Sequence, residues 1–470
     1  MKKEEEKFDR VLTRFDVLAL AFGAMIGWGW VVLAGDWVTA AGVIGSVLAF
    51  LGGGIMVIFV GLVYAELTAA MPRTGGEHVY IHRAMGYRWS FVGSWAIALG
   101  YISVVAFEAV ALPTVIEYLF PNYKVGYMWT VAGWEVYASW AAVGVIGSLL
   151  ITYINYRGIK MAAFFQMICT ILIAVVGLAL IFGSVATEAP QDTVPLFVGG
   201  VAGVFAVLVM TPFMFVGFDV VPQAAEEINL PFKQIGKVLV LSVVMAVFWY
   251  LAIVYAVGHS LSLAEIEKST LSTADAMGAI FNSSIASKLL IIAGIGGILT
   301  SWNAFFIGGS RILYAMAESG MLPRALGHLH PTYKTPTNAI LLIGVLSVIA
   351  PLFGRKALVW LVDAGGLNIV VTYLLVSLSF IILRKKEPGM ERPFRAGKSP
   401  WIGYVGVLLS GFLAVLYMPG MPAALIWPYE WVLILAWWVC GAYFLMKMPK
   451  EEPHLIETGT ITDKKKEDVQ

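Results

Sequence analysis

The sequence predicts an all-α integral membrane protein, and three observations carry that prediction. Hydrophobic residues fill 59% of the 470 positions and charged residues only 13%, which is far from the composition of a water-soluble domain. Apolar stretches of about 20 residues, the length of a helix that crosses a bilayer, recur along almost the whole chain. Two of these stretches are interrupted by glycine or proline near their centres. We therefore expect a bundle of membrane-spanning helices, two of them broken.

Twelve transmembrane helices are expected, with a tolerance of a few residues at each end. Numbered in chain order, these spans lie at about 15–36, 43–71, 89–120, 136–155, 161–183, 196–228, 236–258, 288–310, 338–353, 357–383, 401–418 and 426–446. They form a single predicted membrane domain at 15–446 between two polar tails, 1–14 and 447–470. The longest outer connection, 259–288, contains two helix-like pieces, for which Ser262 and Thr273 are the candidate N-caps.

The distribution of positive charge predicts which side of the membrane holds the termini. Of the 31 Lys and Arg residues, one side receives only Lys124, Lys268, Lys288, Arg355 and Lys356. Because loops rich in Lys and Arg face the cytoplasm, both termini are expected there, in a protein of the cell membrane. The first ten residues, MKKEEEKFDR, lack the cleavage site of a signal peptide, so the first span is expected to be retained.

Reactive residues and net charge argue against other classes of protein. The six His and two Cys form no constellation of nucleophile, base or metal ligands, so we expect no enzymatic activity and no cofactor. Cys169 and Cys440 lie inside apolar spans, where packing is the expected role. A net charge of +1 gives no indication of a nucleic-acid partner. The lipid bilayer is the expected surrounding, and no obligate protein partner is indicated.

Span 1 carries the first interruption, in the stretch AFGAMIGWGW with Gly23, Gly27 and Gly29. Glycine costs about 1 kcal/mol relative to alanine in a helix interior. Unpaired backbone groups cost several kcal/mol more in lipid. A broken helix therefore persists only where something else bonds to the freed groups. A groove for close helix packing is the alternative interpretation of this glycine spacing.

Span 6 carries the second interruption, about 190 residues later, in VMTPFMFVGFDVVPQAAEE with Pro212, Gly217 and Pro222. Broken spans at corresponding positions of two five-helix units indicate the binding site of an inverted-repeat transporter. The two repeats are expected at about 15–183 and 196–383, followed by two further helices at about 401–446.

The two interruptions offer complementary groups to a zwitterion. If span 1 unwinds at 27–29, the free N–H groups and the positive dipole end of its outer half suit a carboxylate. In span 6, the carbonyl groups of Phe213 to Val216 end the outer half and suit an ammonium group. A small solute that carries both groups, such as an α-amino acid, satisfies both breaks.

Four stretches of the chain resemble the amino acid, polyamine and organocation transporter superfamily. They are GAMIGWG, YAELTAAMPRTGGEHVY, FMFVGFDVVPQAAEEINLPFKQIG and NAFFIGGSRILYAMAESGMLP, in the family's order. The resemblance implies a five-plus-five inverted repeat of the leucine-transporter type, with helices 1 and 6 unwound mid-membrane. It also implies a secondary active transporter for an amino acid or related amine that works by alternating access. A polyamine or ethanolamine-type carrier and a non-transporting amino acid sensor are the alternatives.

The family's site can be carried over residue by residue. The resemblance places the carboxylate-binding stretch and the residues for the amine and side chain at Met25, Gly27, Trp28, Gly29, Phe213, Val216, Gly217, Phe218 and Phe305. Trp28 departs from the family, whose members often have a small residue between the two glycines. Its side chain is expected either to narrow the pocket or to point away from it.

Two acids lie inside predicted spans, where charge is costly. Asp219 follows the interruption of span 6, and its expected roles are N-cap of the inner half or contact with a cationic substrate or proton. Glu108 lies in span 3 on one helical face with Tyr101. No capping role applies so deep in a span, so we expect proton coupling, contact with an ammonium group or a buried contact that changes during transport.

The coupling ion stays open between H⁺, Na⁺ and none, as in an exchanger. Span 5 lacks the lysine that some proton-coupled relatives have at its centre. Sodium-coupled proteins of this fold use carbonyl groups of span 1 and hydroxyl groups of span 8. The matching residues would be Gly23, Ile26, Gly297, Thr300 and Ser301. The alternative is that these hydroxyl groups bond to backbone carbonyls.

Overall fold

The computed structural model describes residues 8–188, 195–421 and 424–449, most of which are helical. The predicted tails lie largely outside these residues. The helices are α1 Arg14–Met25, α2 Gly29–Ala70, α3 Glu77–Met85, α4 Tyr87–Leu119, α5 Ala138–Tyr156, α6 Ile159–Ala186, α7 Gly200–Leu208, α8 Thr211–Phe215, α9 Val220–Gln223, α10 Phe232–Ser260, α11 Leu263–Lys268, α12 Ser272–Phe281, α13 Ser284–Glu318, α14 Thr337–Ile349, α15 Ala357–Lys386, α16 Trp401–Leu416 and α17 Tyr429–Lys447. Short 3₁₀ turns lie at Ala225–Glu227, Arg324–Gly327 and Ala350–Phe353.

Long apolar helices dominate the structure, as the composition predicts. Among the described residues, nine helical stretches are long and apolar enough to cross a membrane. The first of these, Arg14–Ala70, covers two predicted spans. The apolar helices Thr337–Phe353 and Trp401–Leu416, which match predicted spans 9 and 11, are shorter. The chain is therefore a mostly helical integral membrane protein, and the number of crossings stays a prediction.

Helices α4 and α13 lie at the centre of the bundle. Of the most apolar stretch of each helix, 94% of the residues are buried in α4 and 83% in α13, compared with 33% in α6 and 17% in α17. The outer helices expose large apolar side chains, such as Phe182 and Val439, to the surroundings. In a bilayer these faces contact lipid, so polar groups on α4 and α13 are the ones shielded from it.

A glycine corner divides α2 into the end of predicted span 1 and the start of span 2. Gly42 has φ +74° and ψ 176°, a conformation that side-chain-bearing residues rarely adopt. A Cβ atom at this position would lie 2.5 Å from the carbonyl oxygen of Pro195. Backbone bonds join the corner to the chain before α7, with Val198 N–H donating to the Ala41 carbonyl at 3.0 Å. The corner thus connects the outer half of span 1 with the approach to span 6.

A short antiparallel hairpin precedes α5, which is an exception to the all-α prediction. Its strands are β1 Tyr127–Val131 and β2 Trp134–Tyr137. The two turn residues, Ala132 and Gly133, both have positive φ, as a type I′ turn requires. The indole N–H of Trp129 donates to the Leu352 carbonyl at 2.9 Å, which fixes the hairpin to the loop after α14.

The outer connection forms α11 and α12, as predicted, but only one of the two candidate caps acts as expected. Ser262 caps α11 in a capping box with Glu265. Thr273 lies inside α12 and does not cap it. Its hydroxyl group donates to the Val31 carbonyl at 2.7 Å, which joins this connection to the outer half of span 1.

The face predicted to be cytoplasmic is closed by backbone pairing and buried ion pairs. Val11 and Leu12 each donate a backbone N–H to the Glu227 carbonyl at 2.9 Å. The side chain of Glu227 forms a salt bridge of 2.9 Å with Arg311 of α13, with both side chains 1% exposed. The start of α1, the end of span 6 and α13 are therefore joined at this face.

Candidate binding site

The helix of span 1 is interrupted between Met25 and Gly29. Helix α1 ends at Met25, Ile26 has φ −97° and ψ 33°, and α2 begins at Gly29. Among the described residues, no acceptor bonds to the backbone N–H groups of Gly27, Trp28 or Gly29. These groups lie at the N-terminal end of α2, where the helix dipole is positive. The interruption therefore presents adjacent free donors to an anion.

Close contact with neighbouring helices requires glycine in span 1. A Cβ atom at Gly27 would lie 1.8 Å from the Ser301 hydroxyl oxygen and 3.3 Å from the Gly297 carbonyl oxygen. At Gly23 it would lie 2.1 Å from the Thr170 hydroxyl oxygen. The glycines thus also provide the close helix packing that was the alternative interpretation of their spacing. The two roles coexist in one segment.

Span 6 is interrupted at the same depth, and the two interruptions touch. Helix α8 ends at Phe215 and α9 begins at Val220. Gly217 lies between them with φ +138°. A Cβ atom at Gly217 would lie 2.7 Å from the Ala24 Cβ atom and 3.0 Å from the Met25 nitrogen. Only glycine lets the backbone of span 6 approach span 1 this closely.

Asp219 bonds to the interruption of span 6 and to span 3. One carboxylate oxygen accepts the Gly217 N–H at 2.8 Å, and the other accepts the Tyr101 hydroxyl at 3.0 Å. The side chain makes no capping bond to α9, so the expected N-cap geometry is absent. The acid instead satisfies a backbone donor within the interruption itself and fixes it to α4.

Tyr250 of α10 contacts both interruptions with a single hydroxyl group. The distance from its phenolic oxygen is 2.7 Å to the Met25 carbonyl oxygen and 3.0 Å to the Met214 carbonyl oxygen. The ring stacks on Phe50 of α2 with 5.0 Å between ring centroids. In contrast, the carbonyl groups of Phe213 and Val216 accept no hydrogen bond from the described residues.

Both interruptions line one cavity, together with side chains of α4, α10 and α13. Its volume is about 20 Å³, which is room for one water molecule and too little for an amino acid. None of its lining residues is Lys, Arg or His. Seven of the residues predicted for substrate binding line this cavity, namely Met25, Gly27, Gly29, Glu108, Phe213, Val216 and Phe305.

Five predicted residues lie outside the cavity, namely Trp28, Tyr101, Gly217, Phe218 and Asp219. Trp28 is 2% exposed, and its ring lies against Gly294 of α13, where an added Cβ atom would approach the ring to 2.4 Å. Of the two orientations expected for Trp28, the structure supports the one that points away from the pocket. Phe218 packs against Tyr64 and Tyr373, with ring centroids 5.3 Å and 5.5 Å away.

Glu108 places a buried carboxyl group at the cavity. The side chain is 2% exposed and contacts the Ser301 hydroxyl, while its Oε2 atom has no hydrogen-bond partner among the described residues. A buried carboxylate without a cationic partner is costly. Because the cavity has no basic lining residue, a positive charge to balance Glu108 has to come from a ligand or a proton.

The residues of the predicted sodium site are joined by hydrogen bonds. The Thr300 hydroxyl donates to the Gly23 carbonyl at 3.0 Å and to the Gly297 carbonyl at 2.8 Å. The Ser301 hydroxyl donates to the Ala24 carbonyl at 3.2 Å. These bonds correspond to the alternative interpretation, in which the hydroxyl groups bond to backbone carbonyls. They also place three carbonyl and two hydroxyl oxygens close together, although the Ala24 carbonyl was not among the predicted ligands.

A second acid lies near Asp219, outside the spans. Glu77 of α3 accepts hydrogen bonds from the Tyr64 hydroxyl at 3.0 Å and from the side-chain amide of Gln223. Burial raises the pKa of Glu77 well above its usual range, and the negative charge of Asp219 adds to that rise. Glu77 is therefore held by side chains of α2 and α9, and its charge interacts with that of Asp219.

Four lining residues were missed by sequence reasoning as ligands of the substrate, namely Ala24, Val104, Phe107 and Tyr250. Three of them are apolar and look like any other core position. Tyr250 carried a usable signal, because a tyrosine hydroxyl in the middle of an apolar span needs a hydrogen-bond partner.

Comparison with known proteins gives a family match over nearly the whole chain. Residues 12–443 match the family model described as "Amino acid permease".

Among curated relatives, a branched-chain amino acid permease of Bacillus subtilis is 27% identical over 87% of this chain and 88% of its own length. A methylthioribose transporter of the same organism is 25% identical over 94% of this chain and 95% of its own. A serine/threonine exchanger, also from Bacillus subtilis, is 25% identical over 88% of this chain and 92% of its own. These relatives are all transport proteins, and their named substrates differ.

Proposed function

Because the chain belongs to the amino acid permease family, we propose that it is a secondary active transporter that imports an amino acid or a related amine. In this proposal it lies in the cell membrane with both termini in the cytoplasm. Its twelve helices form two inverted repeats of five and two further helices, and spans 1 and 6 are unwound at mid-membrane. A transport function fits the family and its relatives, and none of those named here is an enzyme.

The observation that carries this proposal is the meeting of two interrupted helices at one cavity. The free N–H groups of Gly27 and Gly29 provide a place for an α-carboxylate. The carbonyl groups of Phe213 and Val216 lack donors and suit an α-ammonium. Each end of a bound amino acid would thus satisfy backbone groups that are costly to leave unpaired in the membrane.

The remaining lining supports a small or apolar side chain. Val104, Phe107, Met214 and Phe305 provide most of the surface away from the backbone groups. A branched-chain amino acid would suit this lining, and one relative is named for that substrate class. Glu108 favours a second candidate, an amine without a carboxylate, because its acid would balance the charge of such a substrate.

Alternating access is inferred from the size of the cavity and from the closed face. A volume of about 20 Å³ cannot hold an amino acid, so the helices around it have to move before the substrate binds. The Arg311–Glu227 bridge lies at the face predicted to be cytoplasmic. In the proposed cycle this bridge opens when the substrate leaves toward the cytoplasm.

Coupling to H⁺, coupling to Na⁺ and exchange all remain candidates. Carbonyl and hydroxyl oxygens are the ligands that Na⁺ prefers, and Gly23, Gly297, Thr300 and Ser301 would supply them. The Ile26 carbonyl accepts the Trp30 indole N–H at 3.1 Å, which leaves one lone pair of its oxygen for a cation. One relative is named as an exchanger.

Uptake by purified protein in liposomes tests the proposal. A panel of amino acids and amines, including L-leucine, L-serine, L-lysine and ethanolamine, would be offered with a Na⁺ gradient, a pH gradient and preloaded counter-substrate in turn. We expect at least one panel member to be taken up. Binding without uptake under every condition would contradict transport. Uptake that needs no Na⁺ and persists in Thr300→Ala and Ser301→Ala would exclude the sodium site.

A further inference from the structure

The hydroxyl group of Tyr250 lies between carbonyl oxygens of the two interrupted helices, a position that also suits an ammonium group because it donates hydrogen bonds. It lies 2.7 Å from the Met25 carbonyl oxygen and 3.0 Å from the Met214 carbonyl oxygen, one on each interrupted helix. Tyr250 is 1% exposed and lines the cavity that Met25 and Met214 also line. An α-ammonium group bound between the two interruptions would donate to carbonyl groups of the same segments.

The ring is held so that its hydroxyl group stays at this position. It stacks on Phe50 with an interplanar angle of 7°, and Phe215 contacts it edge-on at 5.2 Å. Trp37 packs against both Phe50 and Tyr250, with ring centroids 4.5 Å and 5.9 Å away. This aromatic cluster restricts the rotation of the phenol ring and holds its hydroxyl group next to the two interruptions.

We propose that the Tyr250 hydroxyl stands in for the substrate's ammonium group whenever the transporter carries no substrate. This proposal rests on the proposed function and adds a residue and a mechanism to it. Carbonyl groups freed by an interrupted helix are costly without a donor in a membrane. The single O–H of the phenol is shared between the Met25 and Met214 carbonyl groups during the return of the unloaded transporter. The ammonium group of the substrate, which has three N–H groups, takes over those bonds when it binds next to the Phe213 and Val216 carbonyl groups.

A specific consequence separates this role from ordinary packing. Net transport requires the unloaded transporter to change conformation, whereas exchange uses only loaded conformations. Loss of the hydroxyl group therefore slows net transport and leaves exchange nearly unchanged. A merely structural defect would slow both modes together.

The test compares Tyr250→Phe with wild type in liposomes, with radiolabelled L-leucine as the probe. Efflux into leucine-free buffer measures net transport, and efflux into saturating leucine measures exchange. We expect the ratio of net rate to exchange rate to fall at least fivefold in Tyr250→Phe. Tyr417→Phe is the matched control, because this buried phenol donates to the Val209 carbonyl of span 6 at 3.1 Å and does not line the cavity. An unchanged ratio in Tyr250→Phe overturns the proposal.

A second variant and a second measurement keep the proposal testable if Tyr250→Phe is poorly folded. Phe50→Leu removes the stacking partner but keeps the hydroxyl group, and should lower the same ratio to a smaller extent.

Thermal unfolding provides an independent readout. Tyr250→Phe should unfold at a lower temperature than wild type without leucine, and leucine should narrow the difference. A difference that leucine leaves unchanged counts against the proposal. Failure of the proposed function is distinguishable, because wild type would then neither exchange nor be stabilised by any amino acid of the panel.

Discussion

The interruptions of span 1 and span 6 meet at one cavity but satisfy their backbone groups in opposite ways. In span 6, the Asp219 carboxylate accepts the Gly217 N–H at 2.8 Å, so the interruption supplies its own anion. In span 1, the N–H groups of Gly27 and Gly29 have no acceptor among the described residues, and no acid lies within the interruption at 25–29. The donors of span 1 are therefore the ones left for a ligand.

Because of this difference, the two interruptions prefer ligand groups of opposite charge. A carboxylate is drawn to the open donors of span 1 and is repelled from the acid already present in span 6. An ammonium group has the reverse preference. Two helix breaks with similar glycines thus acquire different chemistry from one side chain, Asp219, and from the bonds that it makes.

Adding a methyl group at Gly27, where span 1 lies against Ser301 of α13, should have the largest effect on transport. We expect Gly27→Ala to reduce uptake by about 100-fold or more, because the added methyl group would collide with the Ser301 hydroxyl and displace the donors by about 1 Å. Initial uptake rates in liposomes measure this. Gly389→Ala, where nothing lies within 4 Å of the added atom, is the control. Near-normal uptake by Gly27→Ala would show that the donors of span 1 need no fixed position.

Removing the internal anion of span 6 should have the next largest effect. Asp219→Ala leaves the Gly217 N–H without an acceptor, at a cost of about 1–3 kcal/mol for a buried group, while the Tyr101 hydroxyl keeps the Asp219 backbone carbonyl at 3.1 Å as its acceptor. We expect a lower unfolding temperature and uptake reduced by about tenfold. Tyr101→Phe, which removes only one of the two bonds, should show a smaller loss in both measurements. Equal losses in the two variants would mean that the Gly217 bond contributes nothing.

Replacing Glu108, the acid that lines the cavity, should change stability and transport in opposite directions. Glu108→Gln removes a buried carboxyl group that lacks a cationic partner, so the unfolding temperature should rise. Loss of a charged acceptor should raise the KM for an amine-bearing substrate by about tenfold. Glu117→Gln on the same helix, whose partner is Lys124 at 2.6 Å, is the matched control. An unchanged KM together with an unchanged pH dependence of uptake would remove Glu108 from the site.

The smallest effect is expected at the residue that departs most from the family. Trp28→Phe should lower stability by about 1–2 kcal/mol, because a smaller ring fills less of the space above Gly294. The order of preference among amino acids should not change, since Trp28 does not line the cavity. Competition assays against a labelled substrate measure that order. A changed order would show that Trp28 reaches the substrate during the transport cycle.

Much of the fold could be predicted because its signals are local in sequence. Apolar stretches suffice to predict long apolar helices, and in the structure helix α1 ends at Met25, close to Gly27 and Gly29. The hairpin at 127–137 was missed, since it is short and its turn signal is only Ala132-Gly133. Seven cavity residues could be named in advance: five lie next to a break, Glu108 is an acid deep inside a span, and Phe305 follows from the family resemblance.

The rest of the site depends on orientation across helices, which spacing along one helix does not determine. Trp28 is adjacent to the cavity in sequence, yet its ring turns to α13 because Gly294 leaves room there. Tyr250 lies far from both interruptions in sequence, and only tertiary packing against Phe50 and Phe215 brings its hydroxyl group to them. Asp219 bonds backward to Gly217 because that N–H is otherwise unpaired in the break.

The pairing of Val11 and Leu12 with Glu227 also constrains the order of events during biosynthesis. The ribosome adds more than 200 residues after Leu12 before the Glu227 carbonyl exists, so the segment before α1 has to wait through the insertion of five predicted spans. The backbone bonds that join the segment before α1 to the end of predicted span 6 can therefore form only after that span has been made.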